Sequence, residues 1–273
     1  MKQQLTNGVF AALALGLIFS CSTNPFTGSK NFNIVSNDQI FPSAFQQYNE
    51  FLSQNKVISG TADARRVTTV GQKIKNAAEK YLNSIGQTQY LNGYQWEYHL
   101  VDNKEVNAWC MPGGKIVVYS GILPVTKDEA GLATVMGHEV SHALANHGAQ
   151  RMSAAQLQQL GAVGVAAATG GQSAQTQQII QQAYGVGSDV AGMLPFSRSQ
   201  ESEADEIGLT LMAIAGYNPD QALVFWQRMA AQSGGSAPPE ILSTHPSDAT
   251  RIAKIKSLIP KAKATAKKFG VNY

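Results

Sequence analysis

The sequence predicts an α+β fold, mostly α, with a small mixed β-sheet beside a helix that carries a His-Glu-x-x-His motif. Three observations point there. Apolar residues recur at spacings of three and four over long stretches, and an alternating aromatic run precedes a hairpin signal. The motif itself, His138-Glu139-Val140-Ser141-His142, lies inside an apolar, helix-compatible run.

The elements follow in chain order. Lys2 precedes an uncharged apolar run of 11 residues, Val9 to Phe19. That is too short for a membrane-spanning helix, which needs about 20 residues, and it predicts a signal peptide over residues 1–20. The run ends in Leu17-Ile18-Phe19-Ser20-Cys21, which resembles the bacterial lipoprotein signal whose Cys is acylated. Cys21 is thus expected to carry lipid and hold the exported chain to a membrane. Ser22 rather than Asp after that Cys resembles sorting to the outer membrane, facing the periplasm. Residues 21–45 read as a tether, with Asn, Ser, Gly and Phe in no period.

Residues 61–83 place Val67, Val70, Ile74, Ala77, Ala78 and Leu82 at helical spacing. Residues 94–101 and 105–110 read as strands, Pro112-Gly113-Gly114 as a turn, and Lys115 to Tyr119 as a third strand. Thr126 and Glu129 fit a capping box that opens a helix running to about Met152. Residues 153–197 hold Ala, Gly and Gln with Asp189 as the only charge. They read either as a mobile lid or as a pair of packed helices. A helix from Arg198 to Ala215 follows. Asn218 and Pro219 start another, and a last one spans 247–258.

Composition excludes some classes of function. The chain has 273 residues, 44% hydrophobic and 14% charged, with a net charge of +3, too little for a nucleic-acid binder. Basic residues concentrate late, with seven Lys/Arg and no acid between Arg251 and Lys268. Only Cys21 and Cys110 are present, so a lipid on Cys21 leaves no disulfide. Cys110 sits in an apolar strand and reads as a buried thiol rather than a nucleophile.

The chemistry concentrates in the motif. Spacing of four sets His138 and His142 one turn apart on one helical face, where both can bind one ion. Glu139 lies about 100° round from His138, placed to take a proton from metal-bound water. His147, nine residues after His138, faces the opposite side of a continuous helix and is no third ligand. The third ligand is expected at Glu201, with Asp205 one turn on to accept the other ring N–H of a ligand histidine. Glu203 points about 200° away from Glu201.

These residues, with Asn107-Ala108, Pro112-Gly113-Gly114, Gly121-Ile122-Leu123, Thr244-His245-Pro246 and Arg251, resemble the M48 family of metallopeptidases. The likeness is to its bacterial periplasmic lipoprotein branch. The resemblance implies a zincin-like (gluzincin) fold over a peptidase domain of 46–260, followed by a basic C-terminal tail of 261–273. It implies one Zn2+ per chain on His138, His142 and Glu201, with Glu139 as general base. It places His245 near the metal, to block the open position or stabilise the oxyanion, and Asn107 and Ala108 on the strand that receives substrate. It also implies quality control of unfolded or misfolded envelope proteins. The alternative is a latent protease that acts as a chaperone or assembly factor for outer-membrane proteins.

Overall fold

The computed structural model describes residues 21–154, 198–232 and 249–273. The chain divides into two units, 1–36 with 149–194, and 37–148 with 195–273. In the first, β1 (Cys21–Thr23) and β2 (Lys30–Phe32) pair antiparallel. The Ser153 hydroxyl accepts from the Ile34 amide at 2.9 Å. His245 and residues 155–197, where the lid or helix pair is expected, lie outside the described residues. Among the described residues no helix is long and apolar enough to cross a membrane.

The second unit opens with α1 (Asn37–Gln54), which begins eight residues before the expected end of the tether at residue 45. Its buried residues Ile40, Phe41, Ala44 and Tyr48 stand at helical spacing across Pro42, which reads as a breaker but is absorbed in the second turn. A four-stranded sheet follows, ordered β3 (Val57–Ile58), β4 (Glu97–Val101), β6 (Lys115–Tyr119), β5 (Ala108–Met111). β4 runs parallel to β6 and the other pairs are antiparallel, so the sheet is mixed. Every residue of β6 is buried, as the central position demands. α1 covers one face, where Tyr48 packs with Val101, Val117 and Tyr119.

Between β3 and β4 runs α2 (Ala62–Ser84), whose cap Thr61 accepts from the Ala64 amide. It packs on β4 and on the motif helix α4 (Glu129–Leu144). The expected cap at Thr126 is displaced by two residues. Thr126 closes a short α3 (Leu123–Thr126), Lys127 turns the chain at φ 65°, and Asp128 caps α4 by accepting from Gly131 N at 2.8 Å. Asp128 offers the same oxygen geometry as Thr and starts the helix after the turn is complete.

Helical backbone resumes at 147–154, and α5 covers 198–214. Gly216 turns the chain at φ 90°, and the Asn218 side chain accepts from Asp220 N at 3.0 Å to open α6 (Asp220–Gln232). The last helix, α7 (Ala249–Lys268), runs ten residues beyond the expected Leu258. Buried Ile259, Ala262 and Ala266 extend its apolar stripe, and Pro260 interrupts it without ending it. Tyr273 then sits within hydrogen-bond reach of the Ala213 and Tyr217 carbonyls, at 2.5 and 2.9 Å.

Candidate metal centre

α4 is buried along nearly its whole length, with Leu132, Val135, Met136, Val140 and Leu144 at 1% exposure or less. His138 and Glu139 are buried in the same helix, at 2% and 4%. Placing such groups in a core is costly unless each finds a partner. The partners come from α5, which crosses α4 at two glycines. A Cβ on Gly208 would stand 3.0 Å from Gly137 C and His138 N, and one on Gly137 would stand 3.1 Å from Gly208 O. Absence of both side chains lets the helices approach to backbone contact at the motif. Gly208→Val is therefore expected to push α5 off α4 and weaken metal binding by about tenfold or more, since such sites tolerate displacements of only about half an ångström. Chelator competition measures it, and unchanged affinity would show that the crossing is not what sets the site.

The crossing brings His138, His142 and Glu201 together, with one possible ligand atom from each within 4.8 Å of the others. The two Nε2 atoms are 3.1 Å apart. Glu201 Oε2 is 3.3 Å from His138 Nε2, and Oε1 is 3.3 Å from His142 Nε2. Ligand atoms about 2.0–2.2 Å from one ion at tetrahedral angles stand about 3.3–3.6 Å apart. The triangle has nearly that size without rearrangement. The outer ring nitrogens strengthen the fit. Asp205 Oδ1 lies 3.0 Å from His138 Nδ1, and His147 Nδ1 lies 2.8 Å from His142 Nδ1. If each Nδ1 donates outward, both Nε2 lone pairs face each other and a carboxylate, an arrangement that a bound cation relieves.

Behind the triangle lies a second ring of charge. Arg251 of α7 clamps Asp205 in two hydrogen bonds, Nε to Oδ2 and Nη2 to Oδ1, both 2.8 Å. Its Nη1 is 3.4 Å from Glu201 Oε2, and its guanidinium carbon is 3.6 Å from the centre of the Trp226 ring. Trp226 in turn meets His138 edge to face at 5.6 Å. Burial alone would push the Asp205 carboxyl up, yet Arg251 and His138 outweigh it and hold it below its ordinary range. Burial likewise disfavours the His138 cation, but Glu201 and then Asp205 overcome it and raise its pKa to about 9.

This sets a pH dependence for the metal-free protein. A group raised from about 6.5 to about 9 on folding stabilises fully below pH 6.5 and loses that contribution as pH rises through 9. Chelator-stripped protein is thus expected to lose at most about 3 kcal/mol over that window, by thermal or urea unfolding. Asp205, lowered, is ionised throughout the window and adds no slope. A metal-free stability that rises from pH 6.5 to 9 would contradict the assignment.

His147 departs from the geometry of a continuous helix. α4 ends at Leu144, where the Tyr90 hydroxyl donates to Leu144 O at 2.6 Å and Tyr94 to Ala143 O at 3.1 Å. Asn146 then takes φ 56°, a left-handed conformation that Asn tolerates. The reversal swings His147 back under His142 instead of to the far side. Its Nε2 meets Glu203 Oε2 at 3.1 Å. Asn146, a helix-breaking residue directly after Ala143-Leu144-Ala145, was the available signal. The parts played by Arg251 and Trp226 had no local signal at all, because both come from distant helices.

Burial, and then the charge of Glu139, hold the Cys110 thiol of β5 well above its ordinary range. Cys110 is half-buried and free of disulfide. Asn107 precedes β5 and its carbonyl accepts from Tyr119 N at 3.1 Å, while Ala108 is buried and pairs with Val118. β5 is the end strand of its sheet, with β6 on one side.

Residues 69–259 match the family model described as Peptidase family M48. The chain is 34% identical over 240 residues to the mitochondrial metalloendopeptidase OMA1 of Schizosaccharomyces pombe, covering 87% of this chain and 66% of that protein. To OMA1 of Arabidopsis thaliana it is 38% identical over 184 residues, 66% of this chain and 35% of the other. To the beta-barrel assembly-enhancing protease of Escherichia coli K12 it is 31% identical over 192 residues, 65% of this chain and 38% of the other. The chain thus spans between about a third and two thirds of the length of these relatives. The matched span runs from within α2 to within α7 and contains the whole of the triangle and the residues that brace it, and on that ground the chain belongs to peptidase family M48.

Proposed function

We propose that this chain is a zinc-dependent endopeptidase of the bacterial cell envelope that cleaves unfolded or misfolded polypeptides. The observation that carries the reading is the convergence of His138, His142 and Glu201, with Glu139 buried next to His138 on the same helix. Zinc bound there supplies Lewis-acid polarisation of a peptide carbonyl and a water of lowered pKa. The chain's own residues do the rest. His138, His142 and Glu201 hold the ion, and Asp205 fixes the His138 ring by accepting its Nδ1 proton. Glu139 accepts the proton of the attacking water and returns it to the leaving amine. Strand β5, preceded by Asn107 and beginning at Ala108, has no strand on its outer side among the described residues, and an extended segment can add there as a further strand. That mode of binding suits unfolded substrates, because a folded chain has no free strand to offer. On the family resemblance His245 would act near the metal, to block the open position or to stabilise the oxyanion.

Cys21 is the proposed lipid anchor, and the outer membrane facing the periplasm the proposed place. A relative named as enhancing β-barrel assembly gives some support to that envelope setting, whereas the relatives named OMA1 are mitochondrial. The same name favours a second reading, a latent protease that chaperones outer-membrane proteins.

Metal analysis paired with casein cleavage, before and after a chelator, tests the enzymatic reading. One zinc per chain and cleavage abolished by the chelator, then restored by zinc, are expected. Cleavage indifferent to the chelator would sink it. A chain that holds unfolded outer-membrane protein without cutting it would support the second reading. Cys21→Ala is expected to release the protein from membranes.

A further inference from the structure

The acidic run of α5 contains four carboxylates: Glu201 and Asp205 are absorbed by the triangle and its Arg251 clamp, and Glu206 pairs with Lys261. Glu203 faces the other flank of the helix, where it meets His147. Both are largely withdrawn from solvent, His147 at 1% and Glu203 at 12% side-chain exposure. A neighbouring contact fixes the backbone, since Gln200 Nε2 donates to His147 O at 3.3 Å.

We infer that His147 and Glu203 form a brace for His142, orienting its ring for the metal as Asp205 and Arg251 orient His138. The inference rests on the reading of His142 as a metal ligand. The hydrogen bonds assign every proton in the chain. His142 can present a lone pair at Nε2 only if its proton sits on Nδ1. That proton points at His147 Nδ1, 2.8 Å away, which must then be an acceptor. The His147 proton is left on Nε2, where the Glu203 carboxylate takes it at 3.1 Å. Carboxylate, imidazole, imidazole and metal site form one polarised line, and the negative end raises the basicity of the ligand nitrogen. A His147 that merely filled core space would need neither nitrogen satisfied in this order. The geometry exists only because α4 breaks at Asn146. In an unbroken helix residues five apart are about 140° apart and cannot meet.

His142 is the ligand that needs such a brace. It lies in the last turn of α4, next to the break, and its side chain keeps 11% of its exposure against 2% for His138. Core packing confines the His138 ring, and less surrounds that of His142.

The test reads zinc affinity, by competition with a chromophoric chelator, alongside the absorption bands of the cobalt-substituted protein. His147→Ala and Glu203→Ala are each expected to bind zinc about 10–100-fold more weakly than wild type. The double variant should be little worse than either, because one line is cut twice. His147→Asn, whose Oδ1 stands near the place of Nδ1 and still accepts from His142 but whose amide does not reach the place of Nε2, is expected to bind zinc about as Glu203→Ala does and more tightly than His147→Ala. Cobalt bands shifted further in His147→Ala than in His147→Asn are expected too. Zinc affinity within twofold of wild type in His147→Ala would overturn the inference, as would an unchanged Glu203→Ala beside a weakened His147→Ala. If His147→Ala does not fold, the tautomers of wild type decide. With five histidines in the chain, nitrogen-15 histidine labelling should show the proton on Nε2 of His147, and a proton on Nδ1 would overturn the brace. Failure of wild type itself to bind zinc would instead remove the ligand reading on which the brace depends.

Discussion

Glu139→Gln is expected to lower casein cleavage by about 10²–10⁴-fold, the range for loss of a positioned general base, with zinc still at one per chain. The substitution keeps the shape of a side chain that is only 4% exposed, so it removes the proton acceptor and little else. Glu139 offers no atom to the triangle of His138, His142 and Glu201, which is why the metal should stay. Measured together, zinc content and kcat/KM separate two kinds of loss. Zinc retained with activity gone assigns Glu139 to the chemistry. Zinc lost in Glu139→Gln would mean that it holds the ion, and activity within tenfold of wild type would mean that another group takes the proton. The same variant serves the chaperone reading, since a chain that holds unfolded protein should do so without Glu139.

How much of this was open to sequence reasoning depends on how far each residue's partner lies along the chain. Spacing of four was enough to put His138 with His142, and Glu201 with Asp205, each on one helical face. The structure brings those two faces together at Gly137 and Gly208. The β5–β6 hairpin was legible from the Gly113-Gly114 turn because its pairing is local, and β4 from its alternating aromatics, whereas β3, which pairs with β4 across the whole of α2, left no signal. The breaks were harder. α4 stops at Leu144 rather than near Met152 because two tyrosine hydroxyls from residues 90 and 94 take its last carbonyls, and sequence periodicity carries no record of a partner 50 residues away. The angle assigned to His147 assumed an unbroken helix and failed for that reason alone. α1 was hidden by Pro42, and the end of α7 by Pro260, though each helix keeps its apolar stripe across the proline. In both places burial outweighs the local cost of one lost hydrogen bond.

Arg251→Met is expected to destabilise the metal-free protein by roughly 3–5 kcal/mol, the usual cost of leaving a buried charge without its partner. Arg251 is 8% exposed and serves four groups at once: both oxygens of Asp205, the near oxygen of Glu201, the ring nitrogens of His138 and the face of Trp226. Methionine has a comparable unbranched stem and packs against aromatic rings, so little of the loss can be assigned to a cavity. What remains is electrostatic. Without the guanidinium, burial carries the Asp205 carboxyl upward, and Glu201 and Asp205 face each other's charge across His138. Lysine should not restore stability, because one ammonium cannot bond both Asp205 oxygens or stack on the indole. Removing the stranded charge should. Arg251→Met with Asp205→Asn is expected to recover part of the loss, which a simple packing defect would not permit. Zinc should narrow the gap between Arg251→Met and wild type, since the cation takes over the neutralisation of Glu201 and stabilises whichever folded state binds it. Urea unfolding with and without zinc measures all of this. A metal-free Arg251→Met within 1 kcal/mol of wild type would mean that the buried carboxylates balance their charge by another route.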